Sequence, residues 1–222
     1  YQRAADTLLP SKLTATELKG SYASAEVNEE AQKLPPRVYS PSLRRPSFTP
    51  DIEGLSSTER GTALHLVMQY IDYSRCGSAQ AVAEEIERLK NMRLITGAQA
   101  AAVNPDKIAA FFASPLGRRV LNADKVIREF KFSLLVPAAR YYKGGSGDIL
   151  LQGVIDCCIE EGGQLTVMDY KTDRVTQENQ LYRAKTYMPQ LEAYAEAMTR
   201  ITGLPVCERL IYFFATGEAV LI

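Results

Sequence analysis

Two aspartates and one lysine are the residues of this 222-residue chain whose types and spacing favour a chemical reaction. Asp156 closes the short apolar run 151–155, and Asp169 closes a second run, 165–168, with Lys171 two positions later. Carboxylate oxygens are the ligands that hard divalent cations prefer, and such a cation relieves the charge of a phosphodiester and activates water. The three residues therefore indicate metal-dependent phosphodiester hydrolysis.

A β-hairpin is the element expected to position these side chains. Gly162 and Gly163 lie between the two apolar runs and are typical of a turn. We therefore expect both aspartates where the two strands end, with Lys171 beside them. Because side chains alternate along a strand, Lys171 falls on the face of Asp169, whereas Tyr170 points away and leaves its backbone carbonyl as a further metal ligand.

The rest of the chain predicts an α/β order of elements. A capping box of Ser56 and Glu59 begins a helix that carries His65, the one histidine of the chain. Prolines predict an extended N-terminal arm over 1–50, with a helical fragment near 14–18, before a domain over 51–222. The further predicted elements are helices over 78–92, 97–103, 105–113, 115–121 and 178–201 and strands over 126–136 and 206–214.

The motifs of the chain together resemble the PD-(D/E)xK nuclease superfamily, specifically its RecB-like branch. The stretches 153–156 (GVID) and 169–172 (DYKT) are similar to the two acidic motifs of that branch. The stretch 61–65 (GTALH) resembles its upstream helix, and 190–194 (QLEAY) resembles its downstream helix.

A second resemblance narrows the family. The stretches 13–20 and 55–60 are similar to the entry to the C-terminal nuclease domain of AddA helicase–nuclease subunits. The resemblance implies a restriction-endonuclease-like α/β core, with a mixed central sheet flanked by helices. It implies metal binding by His65, Asp156, Asp169 and the Tyr170 carbonyl, and catalytic roles for Lys171, Asp156, Asp169, Gln190 and Tyr194, with Lys171 assisting the attacking water.

The same resemblance implies a function. It is that of a Mg²⁺-dependent deoxyribonuclease, an exonuclease that accepts Mn²⁺ in vitro and cuts single strands during double-strand break repair and recombination. A covalently linked helicase motor, outside this chain, would hydrolyse ATP, and an AddB-like protein would be the partner in the bacterial cytoplasm. The start at Tyr1 rather than Met is what an excised domain would show.

Two other functions remain open from the residues. The chain could be a stand-alone RecB-like exonuclease with the same site. It could also be a non-catalytic DNA-binding or scaffolding domain of the same fold. Metal binding and cleavage separate these alternatives.

Composition limits the partners and cofactors. Lys and Arg number 26, as do Asp and Glu, so the formal charge is zero and the grip on DNA needs a local basic patch or a partner. Apolar runs near 18 residues are absent, which predicts no membrane span. Relatives with an iron–sulfur cluster use one early and three late cysteines. Only Cys207 follows the Gln190 helix here, so we expect no cluster.

Several residues keep two interpretations. Glu129 is either an additional acid of the metal site or a solvated residue. The basic residues after the second acid either meet phosphates or are solvated, and the tyrosines beyond them either stack on bases or pack in the core. These residues are Arg174, Arg183 and Lys185, and Tyr182, Tyr187 and Tyr194.

Overall fold

The computed structural model describes residues 9–18 and 55–222. The predicted arm, 1–50, is thus described only over 9–18, where a short strand and a 3₁₀ turn lie against the domain. The remaining arm residues, and 19 and 20 of the stretch that resembles the AddA entry, lie outside the described residues. The domain boundary near residue 50 stays a prediction.

Seven α-helices and six β-strands make up the described part of the chain. The helices are α1 (Ser57–Tyr70), α2 (Ala79–Asn91), α3 (Gly97–Ala102), α4 (Pro105–Ala113), α5 (Pro115–Asn122), α6 (Gln180–Lys185) and α7 (Met188–Thr202). The strands are β1 (Lys12–Thr14), β2 (Lys125–Pro137), β3 (Asp148–Glu161), β4 (Gln164–Lys171), β5 (Val206–Phe213) and β6 (Glu218–Leu221).

The helices begin where polar caps predict. Ser56 Oγ accepts a hydrogen bond from the Glu59 N–H at 3.2 Å, and the Ser56 N–H donates to the Glu59 carboxylate at 2.8 Å. The helix predicted over 178–201 is instead two helices, α6 and α7. Pro189 lies in the first turn of α7, and proline lacks the N–H that a continuous helix would need there.

The sheet is mixed, as expected. Along one edge β3 pairs antiparallel with the whole of β2, and along the other it pairs first with β1 in parallel and then with β4 antiparallel. β4 and β5 are parallel, and β6 closes the order as an antiparallel edge strand. The short strands β1 and β6 were not predicted, since three or four residues are too few for a periodic pattern.

Two hydrophobic cores lie on opposite faces of this sheet. The first core packs α1 to α5 against residues such as Cys157, Met168 and Tyr170. The second core packs α7, through residues such as Leu191, against Ile155. The sheet is therefore a layer between two helical layers, which is the predicted α/β sandwich.

None of the helices in the described ranges is long and apolar enough to cross a membrane.

The strands β2 and β3 exchange faces at one point in the sheet. Ile155 packs in the second core, but Cys157, two residues later, packs in the first. The register of β2 with β3 skips only Glu129, whose φ is 49°. A non-glycine residue in this left-handed region carries strain that usually has a functional reason. The kink at Glu129 turns Asp156 away from both cores.

Candidate active site

Asp156 lies in the middle of β3, which corrects the prediction that it stands where a strand ends. What ends here is the pairing of β3 with β4, whose last pair is Cys157 with Met168. Beyond that pair the Tyr170 N–H donates to Asp156 Oδ2 at 2.7 Å, in place of a backbone carbonyl. The two acidic motifs are thus brought together as expected, but by a side chain that replaces a rung of the ladder.

His65 approaches Asp156 from α1. Its Nδ1 lies 3.0 Å from Asp156 Oδ1. A Cβ on Gly61, one turn earlier, would lie 3.1 Å from Thr172 Oγ1, so glycine lets α1 pack closely on the chain that leaves β4. Burial by itself would lower the pKa of the His65 imidazole, but the Asp156 carboxylate outweighs it and raises that pKa.

Asp169 is held by residues from two elements. The Lys171 ammonium forms an ion pair with the Asp169 carboxylate on the same face of β4. From α7, Gln190 Nε2 donates to Asp169 Oδ1 at 3.2 Å and to Tyr194 Oη at 2.5 Å. The predicted residues of the downstream helix therefore reach the site, whereas the Tyr170 ring packs in the first core.

The two buried carboxyls differ in their electrostatics. Burial and the neighbouring Asp156 charge raise the pKa of Asp169 to about 6. The burial of Asp156 also acts to raise its pKa, but His65 exceeds this effect and holds the pKa below its usual value. Two acids enclosed together accumulate negative charge that a bound cation would relieve.

A group of three ligand types marks where such a cation fits. One ligand atom from each of His65, Glu129 and Asp156 lies within 4.8 Å of the others. Burial, and then the Asp156 charge, raise the pKa of Glu129. The buried Gln190 Oε1 has no hydrogen-bond partner within the described ranges. Imidazole and carboxylate donors suit a divalent metal, so the residues present fit one.

Glu129 is therefore the acid that the sequence left with two interpretations and that the structure brings to the site. It also lines the cleft around the aspartates, a space of about 850 Å³, together with Lys131 and Gln152. Its position on a strand among alternating apolar residues was the signal in the sequence. The kink that turns it inward has no sequence signature.

The three tyrosines with two interpretations separate clearly. Tyr187 and Tyr194 are buried, and Tyr182 is 72% exposed. The Lys171 ammonium lies over the Tyr187 ring, a contact that the sequence did not predict. Among the basic residues, Arg183 Nε donates to the Asp173 carboxylate at 2.6 Å, and Arg174 and Lys185 are exposed.

Comparison with known proteins follows the same motifs. Residues 38–219 match the family model described as the PD-(D/E)XK nuclease superfamily. The chain is 35% identical over 229 residues to an AddA-type ATP-dependent helicase/nuclease from Clostridium acetobutylicum and 39% identical over 227 residues to its counterpart from Desulforamulus reducens. It is 39% identical over 216 residues to the counterpart from Pelotomaculum thermopropionicum.

These alignments cover 99%, 99% and 94% of the chain, respectively. They cover only 18%, 18% and 17% of the three relatives, so the chain corresponds to less than a fifth of their length. The family model spans most of the chain and includes both acidic motifs and the two helices that meet them. The chain therefore belongs to the PD-(D/E)XK nuclease superfamily.

Proposed function

We propose that the chain is the metal-dependent DNA nuclease domain of an ATP-dependent helicase–nuclease. The observation that carries this proposal is the convergence of Asp156, Asp169 and Lys171 on one cleft, with both carboxylates buried. Burying two acids is costly unless they have partners, and such costs are typical of catalytic sites.

The ligands in this proposal are His65, Asp156, Asp169 and the Tyr170 carbonyl, with Glu129 added from the structure. A divalent cation held there, Mg²⁺ in the cell or Mn²⁺ in vitro, would stabilise charge on the phosphate and activate water.

The chain's own residues orient and donate. Lys171, held beside Asp169, is placed to donate a hydrogen bond to the attacking water or to a phosphate oxygen. Gln190 fixes the orientation of Asp169 through its 3.2 Å hydrogen bond, and Tyr194 accepts the second amide hydrogen of Gln190. Both act as supports of the catalytic group rather than as proton carriers.

The relatives supply the wider context of the proposal. Because they are helicase/nuclease subunits and far longer than this chain, we assign the domain to a protein with a linked ATP-driven motor and an AddB-like partner. The domain would cut single strands as an exonuclease during double-strand break repair, in the bacterial cytoplasm.

Two alternatives remain to be separated by experiment. A stand-alone exonuclease would keep the same site, but the similarity over nearly the whole chain to helicase/nuclease subunits favours the linked domain. A non-catalytic scaffold would have no need of the two buried aspartates and the lysine beside them.

The test is cleavage of end-labelled single-stranded and duplex DNA with Mg²⁺, Mn²⁺ or a chelator. We expect Asp169→Ala and Lys171→Ala to abolish cleavage, and Asp148→Ala, an exposed acid at the start of β3, to retain it. Cleavage by a pure Asp169→Ala or Lys171→Ala variant contradicts the assignment. If no protein cuts, calorimetric metal binding distinguishes a dormant enzyme from a scaffold that binds none.

A further inference from the structure

A second groove lies beside the catalytic cleft. It encloses about 1200 Å³, and Thr58 and Gly61 at the start of α1 line both spaces. Its other walls come from the α3–α4 junction, from the segment 172–175 after β4 and from α6. The segment 172–175 continues directly from Lys171, so a polymer bound at the catalytic cleft can extend into this groove.

The charge of this flanking groove differs from that of the chain as a whole. Its lining holds four basic residues and one acid, although the whole chain is neutral. The acid, Asp173, already pairs with Arg183 at 2.6 Å. Three exposed cations thus define the potential of the groove, and a phosphate backbone is the ligand that such a potential attracts. They are Arg60, Lys107 and Arg174.

An exposed aromatic ring completes the lining. Tyr182, on α6, is 72% exposed, whereas Tyr187 and Tyr194 are buried and unable to meet a base. Cations that follow a backbone and an aromatic ring on which a base stacks are the combination that binds single-stranded nucleic acid without sequence preference. A base paired within a duplex does not offer its face to such a ring.

We propose that the flanking groove binds the single strand of DNA that continues from the cleaved phosphate, with Tyr182 stacking on one base and Arg60, Lys107 and Arg174 on its phosphates. The inference rests on the proposed nuclease function, because it takes DNA as the polymer. It adds a binding site that the catalytic motifs do not include.

The test measures binding without cleavage. Fluorescein-labelled oligothymidylate is titrated with the 222-residue chain in chelator, in the wild-type and Asp169→Ala backgrounds, by fluorescence anisotropy. We expect Tyr182→Ala to weaken binding about tenfold or more, and Tyr182→Phe, which keeps the ring, to bind nearly as wild type. Lys107→Glu combined with Arg174→Glu should weaken binding further and reduce its salt dependence by about two phosphate contacts.

Matched controls use the same changes away from the groove. Tyr70→Ala removes an exposed tyrosine at the end of α1, and Lys125→Glu reverses an exposed cation at the start of β2; neither residue lines the groove. Circular dichroism melting checks that each variant is folded. Binding by Tyr182→Ala and by the double charge reversal that equals the controls overturns the inference.

Two further outcomes separate this inference from the proposed function. If wild type never cleaves DNA but binding still depends on Tyr182, the groove stands and the nuclease assignment fails. If duplex DNA binds more tightly than the single strand and Tyr182→Ala changes neither affinity, the single-strand site is refuted whether or not the chain cleaves.

Discussion

The Lys171 ammonium lies 4.5 Å from the centre of the Tyr187 ring. Tyr187 is 1% exposed, and its hydroxyl donates to Asp173 Oδ2 at 2.6 Å. The ring is thus fixed in the core at one end and by a hydrogen bond at the other. A cation over the face of a buried aromatic ring is attracted by the ring's quadrupole. Tyr187 therefore positions Lys171 for its partner, Asp169.

We predict that Tyr187→Leu lowers the rate of DNA cleavage about tenfold, because it removes a contact of about 1–2 kcal/mol that holds Lys171. Tyr187→Phe keeps the ring and should retain most of the rate. Both variants are compared with wild type by single-turnover cleavage of labelled DNA at saturating metal, so that the loss is assigned to the reaction step rather than to substrate binding.

A merely structural role for Tyr187 would have a different signature. It would lower the melting temperature and the rate of both variants together, and Phe would not restore the rate. Equal single-turnover rates for wild type and a folded Tyr187→Leu would show that the ring does not position the lysine.

Glu129 leads to a prediction about metal affinity. Because its carboxylate lies within reach of the same point as His65 and Asp156, Glu129→Gln should weaken Mg²⁺ or Mn²⁺ binding about tenfold. Metal that binds only the folded state raises the melting temperature, so the variant should also show a smaller metal-induced rise. Calorimetry and thermal melting with and without chelator measure the two effects.

The control for this change is Glu160→Gln, which removes a charge from the same pair of strands beyond the site, opposite Lys125. It should leave metal affinity unchanged. Unaltered affinity in Glu129→Gln would mean that the acid lies in the cleft without binding metal, and that its left-handed backbone needs another explanation.

Much of this arrangement could be predicted because local chemistry specified it. The turn at Gly162 and Gly163 has φ angles of 57° and 77°, which glycine adopts readily, so the hairpin was readable from two adjacent glycines. The cap at Ser56 was readable for the same reason. Alternation along β4 correctly placed Asp169 and Lys171 on one face.

The remainder depends on contacts between distant residues. The exchange of faces at Glu129 and Asp156 needs two strands to kink together, and neither strand alone carries a signal for it. The end of the β3–β4 pairing, mistaken for the end of a strand, has the same origin. The break before α7 also followed from local geometry that the long apolar period of 178–201 obscured.

Gly153 shows how a motif residue supports the site indirectly. A Cβ at this position would lie 2.6 Å from a carbon of the Phe132 ring, and Phe132 packs edge-on against Tyr194 with ring centroids 5.9 Å apart. Tyr194 in turn meets Gln190. We predict that Gly153→Ala lowers the free energy of unfolding by about 1–3 kcal/mol, the usual cost of overpacking, and slows cleavage.

Urea unfolding measures this loss against Gly97→Ala, a position where a Cβ has nothing within 4 Å and where little change is expected. Adding Phe132→Leu to Gly153→Ala should recover part of the stability by making room. A Gly153→Ala variant as stable as Gly97→Ala would show that Phe132 moves aside without cost.

Glu85 is a buried acid outside the active site, and it gives a prediction about pH. Its carboxylate is 1% exposed and accepts hydrogen bonds from Arg88 at 2.6 Å and from the Asp72 N–H at 3.2 Å, and it pairs with Arg75 at 2.8 Å. The Arg88 hydrogen bond is the main cause that lowers the pKa of Glu85 below its usual 4.5.

The direction of this shift sets the direction of the pH effect on stability. A lowered pKa in the folded state means that the unfolded chain binds more protons, so the contribution of Glu85 is complete above its unfolded pKa and is lost as the pH falls through the folded value. Glu85→Gln should therefore cost about 2 kcal/mol of unfolding free energy at neutral pH, and less as the pH drops below about 4. Urea unfolding from about pH 3 to about pH 8, with the exposed Glu87→Gln as control, measures both. A difference between wild type and Glu85→Gln that grows as the pH falls would contradict this account, because it would require a raised pKa for Glu85.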